Sequence, residues 1–311
     1  MTTSEEALLS NGEFRLKING IEHWCRVAGV ENRTDPIIVI HGGPGGNLYN
    51  FERTIGPRLE QFSTIVYYEQ RGSGRSEPPK EPADYSIPIL VNDLEKICQT
   101  LGLAQIIPLG FSFGGELALE YTLTHPNRVK KLIIQAPSID DQKRIAYTQL
   151  FGFKSVAKGE TRSKIQQLIN DENTPEEQLE KVWEIVDTET VDRFLFHTPE
   201  VARLNRTMWN ESGLTNTGDM HRALLRQKRS KTELLDKIKG IRIPSLILVG
   251  LYDRNVGIEI CRDVYSQLPN GKLVIFEHSA HFPDIEETEK YAKAIKEFLY
   301  KSRHLVDLKK N

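Results

Sequence analysis

The stretch of sequence that decides the fold is residues 106–124, IIPLGFSFGGELALEYTLT. Its first part is an apolar run typical of a buried strand, and its last part has the pattern of a helix. Between them lies a Gly-x-Ser-x-Gly motif, in which Gly110, Gly114 and Gly115 leave room for a tight turn that exposes the hydroxyl of Ser112. This context favours a nucleophilic serine over an idle serine in a glycine-rich turn.

Strands and helices alternate on both sides of this stretch. Two alternating segments, residues 13–18 and 21–28, flank Asn19-Gly20, a pair that favours a type I′ hairpin turn. After the hairpin, short apolar strands alternate with helices, which indicates a parallel sheet buried on both faces. The predicted strands of this sheet are Ile37–Ile40, Thr64–Tyr68, Ile106–Phe111, Val129–Gln135, Ile243–Val249 and Lys272–Phe276. Pro108 conflicts with a central position for the third strand, because proline lacks the N–H that a sheet ladder needs.

The strand pattern stops between Ser138 and Lys239. This stretch is highly charged and has helical patterning. Helices are predicted at Ser163–Ile169, Thr174–Val186 and Thr217–Lys231. The simplest organisation is an α/β core of residues 1–137 and 240–311, interrupted by a helical cap of residues 138–239. Ligands bind at the carboxyl ends of the strands in such sheets, so we expect the cap to roof the site.

The composition excludes several classes of protein. The chain has 311 residues and a formal net charge of −2, which leaves no electrostatic footprint for nucleic acid. The basic stretch from Arg222 to Lys231 lies among acidic residues and is interpreted as a solvated helix face. No apolar run is long enough to span a bilayer, and the polar start of the chain does not resemble a secretory signal. Cys25, Cys98 and Cys261 form no disulfide or zinc pattern.

These features predict a cytoplasmic protein that acts on a small molecule or a short peptide, and they leave its oligomeric state open.

A serine hydroxyl becomes nucleophilic when a histidine, oriented by an acid, removes its proton. Asp253 lies directly beyond a buried strand and is interpreted as that acid rather than as an N-cap. His281 lies in a loop that can reach Ser112, whereas His278 lies nearer to the strand end. We therefore predict the triad Ser112, Asp253 and His281.

Acyl transfer also needs two backbone N–H donors where negative charge develops. One is expected at Phe113, directly after the nucleophile. The other is expected in the glycine-rich loop HGGPGG at 41–46, where Gly43 is preferred over Gly42. His41 precedes Ser112 in the chain and is interpreted as a hydrogen-bonded brace for this loop rather than as the base.

Five motifs together resemble the proline iminopeptidase family. They are HGGPGG at 41–46, YYEQRGSGRS at 67–76, GFSFGG at 110–115, GLYD at 250–253 and SAHFP at 279–283. The resemblance covers essentially the whole core and implies an α/β-hydrolase fold with a helical cap. It also implies acyl transfer to water through an acyl-enzyme, without a metal or another cofactor. It assigns the same roles to Ser112, Asp253, His281, Gly43 and Phe113.

The expected substrate pocket departs from that family. The resembling enzymes bind the α-ammonium group of a peptide with two glutamates, one in a cap motif and one directly after the triad aspartate. Here Arg254 takes the second position, and the best cap match, residues 208–218, places Gly213 at the first. If Arg254 faces the pocket, it favours a carboxylate or a neutral group over a cation. The substrate-binding residues predicted on this basis are Arg254, Glu211, Trp209 and Glu69.

Three functions follow as hypotheses. The leading one is a capped serine hydrolase that cleaves a small ester, lactone or amide through an acyl-enzyme. The first alternative is a true proline iminopeptidase in which Glu211, Glu200 or Asp219 binds the amine. The second alternative is a non-catalytic receptor that binds a ligand in the same pocket. Epoxide hydrolases and haloalkane dehalogenases share the fold but need an aspartate nucleophile, so Ser112 argues against both.

Overall fold

The computed structural model describes residues 9–139, 142–227 and 231–300. Its strands are β1 (Gly12–Ile18), β2 (Ile21–Ala28), β3 (Ile37–Ile40), β4 (Ile65–Tyr68), β5 (Ile107–Phe111), β6 (Leu132–Gln135), β7 (Ser245–Gly250) and β8 (Gly271–Phe276). They form one eight-stranded sheet in the order β1-β2-β4-β3-β5-β6-β7-β8. Strands β3 to β8 run parallel, and β2 pairs antiparallel with β1 and β4. The predicted fold class is confirmed.

The N-terminal hairpin turns where the sequence predicts. Ile18 pairs with Ile21, and the two residues between them, Asn19 and Gly20, have φ angles of 49° and 82°. Asparagine and glycine tolerate this left-handed region better than other residues do. The turn therefore matches the twist of the two strands that it joins.

Pro108 lies in a central strand even though it has no N–H to donate. It is the second residue of β5, and the ladder between β5 and β6 begins at the next residue, Leu109. Just before the strand, the N–H of Ile106 donates to the carbonyl of Arg128 over 2.8 Å. The missing N–H of Pro108 therefore falls at the beginning of β5, before the ladder with β6 starts.

Helices cover both faces of the sheet and form the inserted stretch. Before the insertion come α1 (Tyr49–Arg53), α2 (Gly56–Glu60), α3 (Ile87–Thr100) and α4 (Phe113–Thr124). The insertion forms α5 (Gln142–Val156), α6 (Gly159–Ile169), α7 (Pro175–Ile185), α8 (Thr188–Leu195), α9 (Pro199–Ser212), α10 (Asp219–Leu225) and α11 (Lys231–Lys237). After β7 come α12 (Ile258–Gln267), α13 (Pro283–Glu286) and α14 (Thr288–Tyr300). Among the described residues, no helix has the length and apolar character needed to cross a bilayer.

The helix predicted at Thr217–Lys231 is wrong as a single element. The chain forms α10 and α11 instead, and residues 228–230 between them lie outside the described residues. Helix α10 ends at Leu225, and the residues directly after it, Arg226 and Gln227, are polar, so no apolar side chain there holds a further turn against the core. Arg226, just after α10, is exposed.

The sheet is buried on both faces, as the apolar strands predict. Ile38 and Ile40 of β3 belong to the apolar cluster that includes residues of α3, α4 and α12. Ile37 and Val39 belong to the cluster on the other face, with residues of α1, α2 and α14. Helices α5 to α8 contribute to a third cluster of their own: Leu150, Phe153, Ala157, Ile165, Val182 and Phe194. This part of the insertion therefore has a separate core.

Candidate active site

Ser112 lies in a turn whose geometry depends on its glycine neighbours. It follows β5 directly and precedes α4, with φ 54° and ψ −121°, a conformation that non-glycine residues seldom adopt. A Cβ on Gly110 would lie 2.1 Å from the carbonyl oxygen of Gly114, and a Cβ on Gly114 would lie 2.0 Å from that of Ile40. These positions require glycine, because the two elements on either side of the turn are in contact at the backbone.

Asp253 and His281 are hydrogen-bonded to each other. His281 Nδ1 lies 3.0 Å from Asp253 Oδ2, and both side chains are buried. The other carboxylate oxygen, Oδ1, accepts the backbone N–H groups of Asn255 at 2.8 Å and Val256 at 3.1 Å. Burial acts to raise the pKa of Asp253, but the imidazole and the two N–H donors outweigh it and hold that pKa below its ordinary value. The carboxylate is therefore ionised and orients the imidazole.

The geometry of Asp253 differs from that of a helix cap. Helix α12 begins at Ile258, and its N-cap residue is Gly257. The rival histidine, His278, is exposed, and its backbone N–H donates to Glu287. Among the described residues, only His281 of the two histidines reaches Asp253.

His281 Nε2 has a partner that the sequence does not predict. The side-chain Nδ2 of Asn255 lies 3.0 Å from it. Within the described residues, no hydrogen bond joins Ser112 Oγ to His281. Catalytic hydrogen bonds are often long or absent when no substrate is bound. Asn255 carries no motif of its own, so nothing in the sequence distinguishes it from other asparagines in loops.

The two predicted N–H donors, Gly43 and Phe113, belong to segments that border the cavity together with Ser112. Phe113 is the first residue of α4, so its N–H has no acceptor within the helix. Gly43 lies in the loop after β3 with a φ of 126°, and the neighbouring Gly42 approaches so closely that a Cβ on it would lie 3.0 Å from Ser112 Cβ. Both Gly43 and Phe113 line the same cavity as Ser112.

Buried hydrogen bonds hold the glycine-rich loop in place. His41 Nε2 accepts the backbone N–H of Gln70 at 3.0 Å, and the side chain of Gln70 donates to the carbonyl of His41 at 2.8 Å. The other ring nitrogen, Nδ1, lies 2.9 Å from the carbonyl oxygen of Gly42. Burial lowers the pKa of His41, which keeps the imidazole neutral. Both ring nitrogens are engaged in bracing, as expected for a residue that is not the base.

The cavity above Ser112 has a volume of about 410 Å³ and is lined by both the core and the insertion. One face of α7 contributes side chains at a helical spacing. These are Glu176, Leu179, Glu180 and Trp183. Within the described residues, the two glutamates are the only Asp, Glu, Lys or Arg side chains that line the cavity, and neither has an ion pair. The remaining lining residues are Gly43, Pro44, Ser112, Phe113, Ser138, Gln142, Ile145, Ala146, Gln149, His221, Leu224, Leu225, Asn255 and Val256.

The predicted substrate-binding residue Arg254 does not line this cavity. Its guanidinium donates to the carbonyl of Arg193 at the end of α8 over 3.1 Å, and it lies over the ring of Tyr252. A Cβ on Gly152 of α5 would lie 2.7 Å from Arg254 Cβ. Arg254 therefore connects the loop after β7 to helices α5 and α8 of the insertion. The expectation that it sets the charge of the pocket has to be corrected.

The other three predicted substrate-binding residues also lie outside the cavity lining. Glu69 is fully buried and accepts the backbone N–H of Leu48 at 2.9 Å, with Arg75 as its ion-pair partner. Trp209 and Glu211 lie near the end of α9, where Glu211 is exposed. Helix α9 contacts α1 and α8, whereas residues of α5, α7 and α10 border the cavity.

The further alternatives for an amine site are also on the surface. Glu200 and Asp219 are exposed and pair with Arg203 and Arg222, respectively, at 2.7 Å and 2.6 Å. Neither lines the cavity. Among the described residues, no group of three or more His, Cys, Asp or Glu side chains could hold a metal ion.

Comparisons with known proteins agree with this architecture. Residues 35–288 match the family model described as the alpha/beta hydrolase fold. A proline iminopeptidase of Heyndrickxia coagulans is 30% identical over 285 residues, which cover 85% of this chain and 90% of that protein. One from Saccharolobus solfataricus is 26% identical over 295 residues, covering 91% and 90%.

Among solved structures, a proline iminopeptidase-related protein from Thermus thermophilus superposes with a TM-score of 0.77 at 24% identity, covering 93% of this chain and 97% of that one. The chain belongs to the α/β-hydrolase family. Within that family it is proline iminopeptidase-like, and it is an enzyme, a hydrolase of the serine class.

Proposed function

We propose that the chain is a serine hydrolase that releases an N-terminal residue, proline foremost, from a small amide or a short peptide. The observation that carries this proposal is the charge of the cavity. Glu176 and Glu180 face the same space as Ser112, and no lysine or arginine lines that space within the described residues. A desolvated α-ammonium group needs a carboxylate partner, and an anionic substrate group would be repelled there.

The preference for neutral substrates that the sequence suggests depends on Arg254 facing the pocket. Because its guanidinium donates to a carbonyl of the insertion outside the cavity, it does not oppose a cation in the pocket. The names of the similar proteins from Heyndrickxia coagulans and Saccharolobus solfataricus support the same substrate class. The two glutamates of α7 would then do what the family's own two glutamates do, from different positions in the chain.

The proposed reaction begins with attack of Ser112 Oγ on the scissile carbonyl carbon. The hydroxyl proton passes to His281 Nε2, while Asp253 stabilises the imidazolium through Nδ1–H. The carbonyl oxygen becomes an oxyanion that accepts the N–H groups of Gly43 and Phe113. When this intermediate collapses, the C–N bond breaks and the leaving amine takes the proton from His281.

The acyl-enzyme is then hydrolysed by the same groups. A water molecule gives a proton to His281 Nε2 and attacks the ester carbon. The bond to Ser112 Oγ breaks, the serine oxygen takes the proton back, and the released acid carries the free amine. Apart from this water molecule, both halves of the proposed reaction use groups of this chain.

A second candidate function is the hydrolysis of a small neutral ester, lactone or amide. The rest of the cavity favours it, because Ile145, Leu179, Leu224 and Val256 supply an apolar wall. The carboxylate of Glu180 belongs to an exposed residue, so solvent can hydrate it while a neutral acyl group occupies the inner part of the cavity. The catalytic steps are the same in both cases.

Two substrates separate the candidates. The first candidate predicts that proline-β-naphthylamide is cleaved with a kcat/KM above roughly 10⁴ M⁻¹s⁻¹, a value ordinary for enzymes, and that p-nitrophenyl acetate is the poorer substrate. The opposite order would favour the second candidate. The Ser112→Ala variant is expected to lose at least about a thousandfold of turnover on either substrate with an unchanged unfolding midpoint. Absence of fluorophosphonate labelling at Ser112 in the folded wild type would argue against both candidates and favour the non-catalytic receptor.

A further inference from the structure

A chain of side-chain hydrogen bonds connects the insertion with the predicted triad. Trp183 Nε1 of α7 lies 3.4 Å from Gln149 Oε1 of α5, and Gln149 Nε2 lies 2.7 Å from Asn255 Oδ1. Asn255 Nδ2 lies 3.0 Å from His281 Nε2, and His281 Nδ1 lies 3.0 Å from Asp253 Oδ2. In both Gln149 and Asn255, the amide oxygen faces the Trp183 end of this series and the amide nitrogen faces the His281 end.

The two ends of this chain fix the direction of every hydrogen bond in it. The indole N–H of Trp183 can only donate, and the ionised carboxylate of Asp253 can only accept. Gln149 therefore accepts with its oxygen and donates with its nitrogen, and Asn255 does the same. His281 must then be neutral, with its proton on Nδ1 and its Nε2 lone pair accepting from Asn255. No other assignment satisfies all five groups.

This arrangement occupies the atom that the reaction needs. Nε2 is the site that takes the proton of Ser112, and it cannot do so while Asn255 Nδ2–H donates to it. We propose that Asn255 is a positioning residue that holds His281 in the empty enzyme and releases it to Ser112 when substrate fills the cavity. This inference rests on the proposed function, because it needs Ser112 and His281 to be the nucleophile and the base.

The position of these hydrogen-bonded side chains explains how a substrate can break the bond between Asn255 and His281. Gln149, Trp183 and Asn255 all line the cavity, so a bound substrate competes for the same donors and acceptors. The backbone of Asn255 is held by its N–H bond to Asp253 Oδ1 at 2.8 Å, which leaves the side chain as the part that turns away. Trp183 lines the cavity and is 42% exposed, so this end of the hydrogen-bond chain is accessible from solvent.

The test measures how fast a small fluorophosphonate labels Ser112 in the empty cavity. In Asn255→Ala and Asn255→Leu, Nε2 has no competing donor, so labelling is expected to accelerate by roughly twofold to tenfold, the worth of one net hydrogen bond. In Asn255→Asp, a carboxylate next to Nε2 favours the imidazolium, which has no lone pair to offer, so labelling is expected to slow. A residue with a merely structural role would slow labelling in all three variants.

Three controls complete the experiment. Asn210→Ala removes an exposed asparagine side chain on α9 and is expected to label at the wild-type rate. Gln149→Ala breaks the chain one link away from the histidine and is expected to accelerate labelling by less than Asn255→Ala does; it decides the matter if the Asn255 variants do not fold. Equal or slower labelling in the Asn255→Ala and Gln149→Ala variants would overturn the inference. If Ser112→Ala is still labelled, the proposed function fails instead.

Discussion

The turn at Ser112 leaves no room for side chains at the glycines around it. The Cα of Gly114 faces the backbone of Ile40 in β3, and that of Gly115 faces Pro137, where an added Cβ would lie 2.8 Å from the proline Cβ. The strained φ of the serine therefore persists because the strand and the helix on either side of it are packed at backbone distance. The same contacts determine the position of Ser112, the proposed nucleophile, and the stability of its turn.

Gly114→Ala is expected to lower the free energy of unfolding by roughly 3 kcal/mol, because its Cβ would collide with a strand backbone that cannot move without disturbing the sheet. Urea unfolding of the purified variant measures this change. The matched control is Gly240→Ala, since Gly240 has open space around its Cα, and its change is expected to stay within about 0.5 kcal/mol. Equal stability of the two variants would contradict the packing argument.

For single residues, the sequence predicts chain position better than side-chain direction. Asp253 can be placed at the sheet edge because it follows an apolar strand directly. Arg254 is the next residue, yet its side chain leaves the cavity for the carbonyl of Arg193, a group about sixty residues away in sequence. Asn255 turns back to His281. Alternation along a loop depends on its backbone angles, and no residue pattern encodes these for an irregular segment.

Among the elements, α7 is the one whose contribution to the cavity the sequence does not predict. Its beginning is encoded locally: Thr174 accepts the N–H of Glu177 at 3.3 Å, and Glu177 accepts that of Thr174 at 2.9 Å, which is a capping box. The sequence therefore predicts the helix and its register. It does not predict that the face with Glu176 and Glu180 meets the cavity, because that depends on how α7 packs against α5.

The double variant Glu176→Gln and Glu180→Gln is expected to raise the KM for proline-β-naphthylamide by roughly tenfold or more and to leave kcat nearly unchanged, because a uniform binding interaction with the ammonium group is lost. The KM for p-nitrophenyl acetate is expected not to change. Glu184→Gln is the matched control, since Glu184 is an exposed residue of the same helix that does not line the cavity. An unchanged KM for the amine substrate would remove the basis for the aminopeptidase proposal.

For the whole molecule, the order of strands along the chain predicts a mostly parallel sheet, and the structure has it. The way in which the insertion attaches is less predictable. Met220 and Leu224 of α10 and Leu234 of α11 belong to the apolar cluster of the core, whereas α5 to α8 have their own. Both groups of helices have similar charged sequences, so their different attachment follows from tertiary contacts and not from local pattern.

One buried acid near the proposed triad is expected to make the stability of the whole molecule depend on pH. Asp284 is buried at the start of α13, and Gln135 donates to its Oδ1 at 2.8 Å. The same Gln135 side chain donates to the carbonyl of His281 at 3.2 Å. Burial raises the pKa of Asp284 to about 6, from an ordinary value of 3.8. The folded state therefore holds this proton over a pH range in which the unfolded state has lost it.

The sign of the effect follows from proton linkage. Between pH 3.8 and about 6 the folded chain binds more protons at Asp284 than the unfolded chain does, so the contribution of this group to stability is present at low pH and is lost as the pH rises. At about 1.36 kcal/mol per pKa unit, the loss amounts to roughly 3 kcal/mol by neutral pH. Asp284→Asn keeps an oxygen for Gln135 and has no charge to bury. Urea unfolding of both proteins from pH 4 to pH 8 measures this effect. The free energy of unfolding of the variant, relative to that of the wild type, is expected to rise up to about pH 6 and to stay constant above it. A pH-independent difference between the two proteins would show that Asp284 ionises without a penalty.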